Sequence, residues 1–200
     1  MQPEAGRSGN AMPILKTRAT YEDLVAAPDN LVAEIIDGDL HVSPRPAMRH
    51  SLVTTELIGA LGNAFHRGAG GPGGWWILVE PELHFGHDVV VPDLAGWRRD
   101  RLPEVPDEPW MSLAPDWVCE VASPSTERID RVNKLPIYAR AGVAHTWLVN
   151  PTNRTLEIFR RGDSAWTLVA VHGADEVVRA EPFDAIELDL GALWIGTGAR

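Results

Sequence analysis

The chain has a single cysteine among its 200 residues and lacks any apolar run of the roughly 18 residues that a membrane span needs. One cysteine excludes a disulfide framework within the chain, which favours a reducing, intracellular setting. The first twenty residues also lack the apolar run that defines a signal peptide. We therefore expect a cytoplasmic protein that makes no use of a membrane.

Basic residues are in the minority: 18 Lys and Arg stand against 28 Asp and Glu, a net charge of −10. This balance argues against a protein that coats nucleic acid without selectivity. The charge is uneven, because residues 123–161 contain seven basic and three acidic residues, a local charge of +4. That segment can meet a phosphate backbone, or it can be an ordinary solvated helix and hairpin, and the sequence leaves both interpretations open.

The length and the hydrophobic content of 44% suffice for one domain with a substantial core. Residues 1–13 contain Gly, Ser and Pro without periodicity. We expect them to form a disordered leader, followed by a single domain over residues 14–200.

The apolar pattern predicts an α/β fold with a mixed sheet between two long helices. Thr20 should cap a short helix, and Asp37-Gly38 should form the tight turn of a hairpin over residues 31–42. The long helices are expected over residues 47–67 and 125–141, the second kinked at Pro136. Successive strands of one sheet are expected over 75–79, 82–85, 89–97 and 117–122, then a buried strand over 145–150, a closing hairpin over 155–171, and a strand or short helix over 186–194.

Two of these strands contain a carboxylate within an apolar run: Asp93 in the first and Glu120 in the second. An ionised carboxyl group there loses hydration energy unless a cation or a hydrogen-bond network compensates it. Side chains alternate along a strand, so Glu120 should lie on the face opposite Cys119. If the two strands are neighbours, Asp93 and Glu120 meet at one edge, where their oxygens and water suit Mg²⁺.

The helix that follows Glu120 carries Lys134. One polar face of this helix has residues at spacings of three or four: Glu127, Asp130 or Arg131, Lys134 and Tyr138. This face could return Lys134 towards Glu120. A bound metal would polarise a phosphoryl oxygen and acidify a water molecule, and a nearby ammonium group would stabilise the developing charge. The residues therefore predict a metal-dependent hydrolytic site.

Other candidates have two interpretations each. Glu34 is either a third acid of the site or an exposed carboxylate of an edge strand. His50 is either part of the site or, as we expect, a helix N-terminal or surface histidine, and Glu80 or Glu82 could contribute from the strand before Asp93. Among the tryptophans, Trp110 is the candidate to meet a base or a partner.

The order of several motifs resembles the Uma-type restriction endonuclease family, a branch of the PD-(D/E)XK nuclease superfamily. The residues that carry the resemblance are Glu34 to Gly38, His50, Pro92-Asp93, Glu120 to Thr126, Asp130, Lys134, Tyr138 to Val143, and Trp147 to Pro151. The resemblance extends from about Thr20 to Trp194.

This resemblance implies a restriction-endonuclease-like core of helix, three strands, helix and strand, with hairpin extensions at both ends. It implies that Asp93, Glu120 and the Val121 carbonyl bind Mg²⁺ or Mn²⁺. It also implies that Lys134 replaces the lysine that the superfamily carries at the position of Ala122. The expected activity is hydrolysis of DNA phosphodiesters by a homodimer, since cutting both strands favours two sites related by a twofold axis. The alternative is a nuclease-fold protein without turnover that acts as a nucleic-acid-binding or regulatory module.

Overall fold

The structure is a computed structural model that describes residues 18–124, 126–163, 165–194 and 196. The expected leader over residues 1–13 lies outside this described part of the chain. Within the described part, no helix combines the length and the apolar character needed to cross a membrane.

Five α-helices and two π-helical turns make up the helical part of these ranges. The helices are α1 (Tyr21–Val25), α2 (Met48–Leu61), α3 (Glu127–Ile129), α4 (Leu135–Ala141) and α5 (Leu190–Leu193). The π-helical turns extend α2 over Gly62–His66 and join α3 to α4 over Asp130–Lys134. The predicted capping box of α1 is confirmed, since the Thr20 side chain accepts from the Asp23 N–H and the Asp23 side chain accepts from the Thr20 N–H.

Thirteen strands are described, and eleven of them form two mixed sheets. They are β1 (Leu31–Ile36), β2 (Asp39–Pro44), β3 (Trp75–Val79), β4 (Glu82–Phe85), β5 (Asp88–Val90), β6 (Leu94–Arg98), β7 (Trp110–Met111), β8 (Trp117–Val121), β9 (His145–Asn150), β10 (Thr155–Arg161), β11 (Trp166–Gly173), β12 (Val177–Val178) and β13 (Leu188–Asp189). The larger sheet has the order β11-β10-β9-β8-β6-β3, and the smaller has the order β2-β1-β5-β4-β7. The pairs β8–β9 and β4–β7 are parallel, and the other pairs of these sheets are antiparallel.

The predicted core of helix, three strands, helix and strand is confirmed as α2, β3, β6, β8, the α3–α4 segment and β9. The hairpin extensions are β1–β2 and β10–β11. In the β1–β2 turn, Asp37 and Gly38 have φ values of 52° and 86°, as a two-residue hairpin turn requires.

The prediction of one sheet was wrong for the segment before Glu120. The expected strand over residues 89–97 is broken at Pro92-Asp93: β5 pairs with β1 and β4 in the smaller sheet, whereas β6 pairs with β3 and β8 in the larger one. Pro92 has no N–H to donate to a ladder, so it suits the point where the chain leaves one sheet for the other. Asp93 consequently lies at the junction of the two sheets.

The expected kink at Pro136 takes the form of the π-helical turn over Asp130–Lys134. Pro136 lies in the first turn of α4, directly after this π-helical turn, and it has no N–H to donate to the turn before it. π-helical turns are frequent at functional sites. Both end residues of this turn, Asp130 and Lys134, are buried.

Two cores lie on the two faces of β8. Trp117, Cys119 and Val121 belong to a large aromatic-rich core under α2. Val118, on the opposite face, belongs to a second core that joins the two sheets to α4. The predicted alternation of side chains along this strand is confirmed.

Candidate active site

Three segments enter one end of the second core with the same pattern, a carboxylate two residues away from a buried apolar residue. Two of them are β1 and β8, and the third begins at the residue before β6. The pairs are Glu34 with Ile36, Asp93 with Ala95, and Glu120 with Val118. Residues two apart share a face of a strand. The packing of the apolar members therefore draws the three carboxylates together, and all three line one pocket of about 360 Å³.

We call this cavity the carboxylate pocket, with Glu34, Asp93, Glu120, Asp130 and Lys134 as its floor. Lys134 Nζ lies 2.9 Å from Glu34 Oε1 and 2.8 Å from Glu120 Oε1, and it donates a hydrogen bond of 3.2 Å to the Val91 carbonyl. The Tyr138 hydroxyl donates to the same Glu120 oxygen. The structure thus brings Lys134 from its helix to Glu34 and Glu120.

Asp93 is held by one backbone and one side-chain group. Its Oδ2 accepts a hydrogen bond of 2.6 Å from the Val121 N–H, and its Oδ1 lies 3.0 Å from His50 Nε2. His50 lies in the first turn of α2, which is the helix N-terminal position that was one of its expected places, and it is buried there rather than exposed at the surface. Its Nδ1 is buried and has no hydrogen-bond partner among the described residues.

Burial and neighbouring charges shift the pKa values of three residues of the floor. Burial raises the pKa of Glu120 well above its usual value, the carboxyl groups of Asp130, Asp93 and Glu34 raise it further, and Lys134 opposes the shift. Burial likewise raises the pKa of Asp130 to about 6 against the opposing effect of Lys134. Burial alone would lower the pKa of Lys134, but Glu120 and Glu34 raise it well above its usual value. Burial therefore disfavours the ionised form of Glu120 and Asp130, and the Lys134 ammonium group opposes this effect at both.

Two of the weaker candidates lie elsewhere. Glu82 is turned away from the pocket, where its Oε1 accepts from the Tyr21 hydroxyl at 2.9 Å and lies 2.6 Å from His84 Nε2. Trp110 stacks on His84, with ring centroids 4.5 Å apart. Glu80 does line the carboxylate pocket, with its Oε2 4.0 Å from Arg45 Nη1. The Val121 N–H donates a hydrogen bond to Asp93. The expected role of the Val121 carbonyl as a metal ligand stays a prediction.

Asp130 is the floor residue that the sequence reasoning left out of the site. It stands four residues before Lys134 and eight before Tyr138, on the helical face that was recognised. Asp130 is buried, with a relative exposure of 5%. This burial was not predicted, because a charged residue at the start of a helix is usually solvated. The signal that could have found it is its place on the face of Lys134 and Tyr138.

The donor set of the carboxylate pocket suits a hard divalent cation. Four carboxyl groups surround one ammonium group at the floor, and their oxygens are the ligands that Mg²⁺ and Mn²⁺ prefer. In the described ranges, no three His, Cys, Asp or Glu side chains are grouped as a complete metal site. Mg²⁺ commonly binds through one or two carboxylates and keeps several waters, so Asp93 and Glu120 are the residues that would hold it.

Comparison with known proteins identifies a family and a similar fold. No match was found among curated proteins. Among solved structures, the fold is similar to that of a "putative nuclease belonging to DUF820" from Anabaena variabilis ATCC 29413, with a TM-score of 0.71. The two chains are 21% identical, and the alignment covers 88% of this chain and 98% of the other.

The family model that matches covers residues 18–191 and so includes the whole carboxylate pocket. The chain therefore belongs to the Uma2 family, which carries the description "Putative restriction endonuclease".

Proposed function

We propose that this protein is an endonuclease that hydrolyses DNA phosphodiester bonds in the carboxylate pocket with the help of Mg²⁺ or Mn²⁺. The observation that carries the proposal is the meeting of Asp93, Glu120 and Lys134, distant along the chain, at the floor of one pocket. Membership of a family described by a nuclease activity supports the same reaction class.

In this reaction a water molecule gives up a proton to solvent as its oxygen bonds to phosphorus, the bond from phosphorus to the leaving sugar oxygen breaks, and that sugar oxygen takes up a proton from solvent. A divalent cation at the carboxylates supplies charge stabilisation and an acidified water. Lys134 presents a fixed positive charge to the phosphoryl oxygens. Glu34 accepts from the Lys134 ammonium and so orients it, and His50 orients Asp93.

The test is nicking of a supercoiled plasmid in the presence of Mg²⁺ or Mn²⁺. Asp93→Asn and Glu120→Gln keep the shape of each side chain but remove a charged ligand, so each should lower the nicking rate by at least about a hundredfold. Glu82→Gln is the matched control, since Glu82 is a carboxylate turned away from the pocket. Its rate should equal that of the wild type.

Equal nicking by the wild type and both pocket variants would contradict the proposal, because a contaminating nuclease would then account for the activity. Circular dichroism of each variant ensures that a loss of rate is not a loss of folding.

One specific observation favours a second candidate function, a nuclease-fold module that binds nucleic acid without turnover. The Lys134 ammonium already contacts two of the carboxylates and thus partly takes the place of a metal ion. Isothermal titration calorimetry separates the two candidates. Binding of Mn²⁺ that Asp93→Asn abolishes favours the enzyme, whereas DNA affinity without any metal binding favours the module.

We also propose that the protein is a homodimer, because two sites related by a twofold axis match the two strands of a duplex. Light scattering after size exclusion should give twice the 21.9 kDa of one chain. A mass of one chain at micromolar concentration would contradict this.

A further inference from the structure

We infer that the carboxylate pocket accepts a nucleotide of an unpaired strand, so that the substrate is single-stranded DNA or the unpaired part of a duplex. The inference rests on the proposed function and deepens it. Three features of the pocket carry it: the depth of its floor, its apolar lining, and the small number of arginines around it.

The reacting groups lie deep in the pocket. The side chains of Lys134 and Glu120 are 3% and 4% exposed, and that of Asp93 is 15% exposed. A phosphodiester must therefore enter the pocket to meet them. The volume of about 360 Å³ is near the lower limit for pockets that enclose a small ligand. It can hold one nucleotide, but not a nucleotide together with its paired partner.

Much of the lining is apolar and does not bind a phosphate group. It includes Val32 from β1, Pro44 at the end of β2, Pro46 and Ala47 before α2, Val91 before Asp93, and Pro124 after β8. Apolar surface next to a phosphate-binding floor suits the sugar and the face of a base. In a duplex these faces are stacked and paired, whereas an unpaired nucleotide offers them freely.

The positive charge near the pocket is limited. Arg45 is the arginine that lines the pocket among the described residues, held between Pro44 and Pro46 with its side chain 59% exposed. Arg49, in the first turn of α2, is exposed nearby along the chain. Proteins that bind a duplex through its backbone commonly contact about 6–10 phosphates. A lining with one arginine, in a chain of net charge −10, fits a short contact with one strand better.

The β1–β2 hairpin offers a matched pair of variants. Val32 on β1 lines the pocket, and Val42 on β2 is 43% exposed and is not part of the lining. Val32→Glu places a carboxylate where the sugar and base would lie. Val42→Glu makes the same change in the same hairpin outside the pocket, so it controls for charge and folding.

The experiment compares one labelled oligonucleotide as a single strand, as a blunt duplex and as a duplex with a central gap. Binding is measured by anisotropy with Ca²⁺, and cleavage with Mg²⁺ or Mn²⁺. We expect the single strand and the gapped duplex to be bound and cut at least about tenfold better than the blunt duplex. Val32→Glu should weaken single-strand binding about tenfold, and Val42→Glu should leave it unchanged.

Each other result has a distinct meaning. Equal or faster cleavage of the blunt duplex overturns this inference and leaves the nuclease proposal standing. Single-strand binding that Val32→Glu weakens, without cleavage of any substrate, supports the inference and overturns the nuclease proposal. Equal effects of Val32→Glu and Val42→Glu on binding, or no binding of any oligonucleotide, overturn the inference.

Discussion

At the scale of single residues, Lys134 holds two carboxylates at once, and this limits which substitutions are informative. Its removal would leave Glu34 and Glu120 close together in a buried place without a cation. Breaking a buried ion pair in this way typically costs about 3–5 kcal/mol of stability. A loss of activity in Lys134→Ala would therefore be confounded with unfolding, whereas Asp93→Asn and Glu120→Gln avoid the problem.

Asp130 gives a prediction about pH. Its pKa rises from 3.8 to about 6 on folding, chiefly through burial. Because the folded state holds this proton more tightly, the carboxyl group favours folding at low pH, and that contribution is lost as the pH rises through 6. Asp130→Asn should therefore gain about 1–3 kcal/mol of unfolding free energy relative to the wild type between pH 4 and pH 7.

Urea unfolding in the presence of a chelator, at several pH values, measures this difference. The same substitution at Asp100, an exposed residue of a turn, is the control and should show no such change. A difference between Asp130→Asn and the wild type that is independent of pH would contradict the prediction.

Some single residues could be predicted and others could not. Strand alternation placed Glu120 on the face opposite Cys119, and helical periodicity placed Lys134 and Tyr138 together. These are local rules that need no knowledge of the fold. The contact of His50 with Asp93 depends on how α2 docks on the sheet, so it did not follow from the segment that contains His50. The place of Asp130 on the face of Lys134 and Tyr138 was visible in the sequence, but its burial was not.

At the scale of elements, the β1–β2 hairpin positions Glu34, and its turn depends on Gly38. A Cβ at this position would meet Arg18 Cγ at 3.0 Å, and the φ of +86° is one that L residues rarely adopt. Gly38→Ala should therefore cost about 1 kcal/mol or more of stability. It should also lower the nicking rate, since Glu34 orients Lys134 from this hairpin.

Gly59→Ala is the matched control for this element. Gly59 lies within α2, and a Cβ there meets no atom within 4 Å. Alanine is the better helix former, so this variant should gain about 0.5–1 kcal/mol. Thermal unfolding of both variants decides the matter, and a loss of stability of the same size in both would contradict the role assigned to the turn.

The elements themselves were mostly visible in the sequence, whereas their pairing was not. The capping box, the Asp-Gly turn and the break before Pro136 each have a local cause, and each is present. The division of the strands between two sheets at Pro92-Asp93 has no local cause other than the proline. The partner that holds β5 in the smaller sheet is β1 of the hairpin far upstream, and β4 joins that sheet through β5 and β7. Periodicity alone does not identify these partners.

At the scale of the whole molecule, metal binding and folding should be coupled. A ligand that binds the folded state at ten times its Kd adds about 1.4 kcal/mol to the unfolding free energy. Mn²⁺ or Mg²⁺ should thus raise the Tm of the wild type and have little effect on Asp93→Asn. The measurement is thermal unfolding at constant ionic strength, with a monovalent salt replacing the divalent one in the control.

An equal rise in Tm for the wild type and Asp93→Asn would place the bound ion outside the carboxylate pocket. No rise in either would favour the module that binds nucleic acid without a metal.

The backbone alternation that buries Ile36, Ala95 and Val118 in the second core also turns the carboxylates two residues away towards the carboxylate pocket. Losing a single residue between the acid and its apolar neighbour, within β1, within β8 or at the start of β6, would turn that acid to the opposite side of the sheet. Length changes between each acid and its apolar neighbour are therefore incompatible with the site, whereas the Pro-rich connection between β6 and β8 can vary in length. Diversity among chains of this architecture should consequently accumulate in the connections, at constant strand spacing.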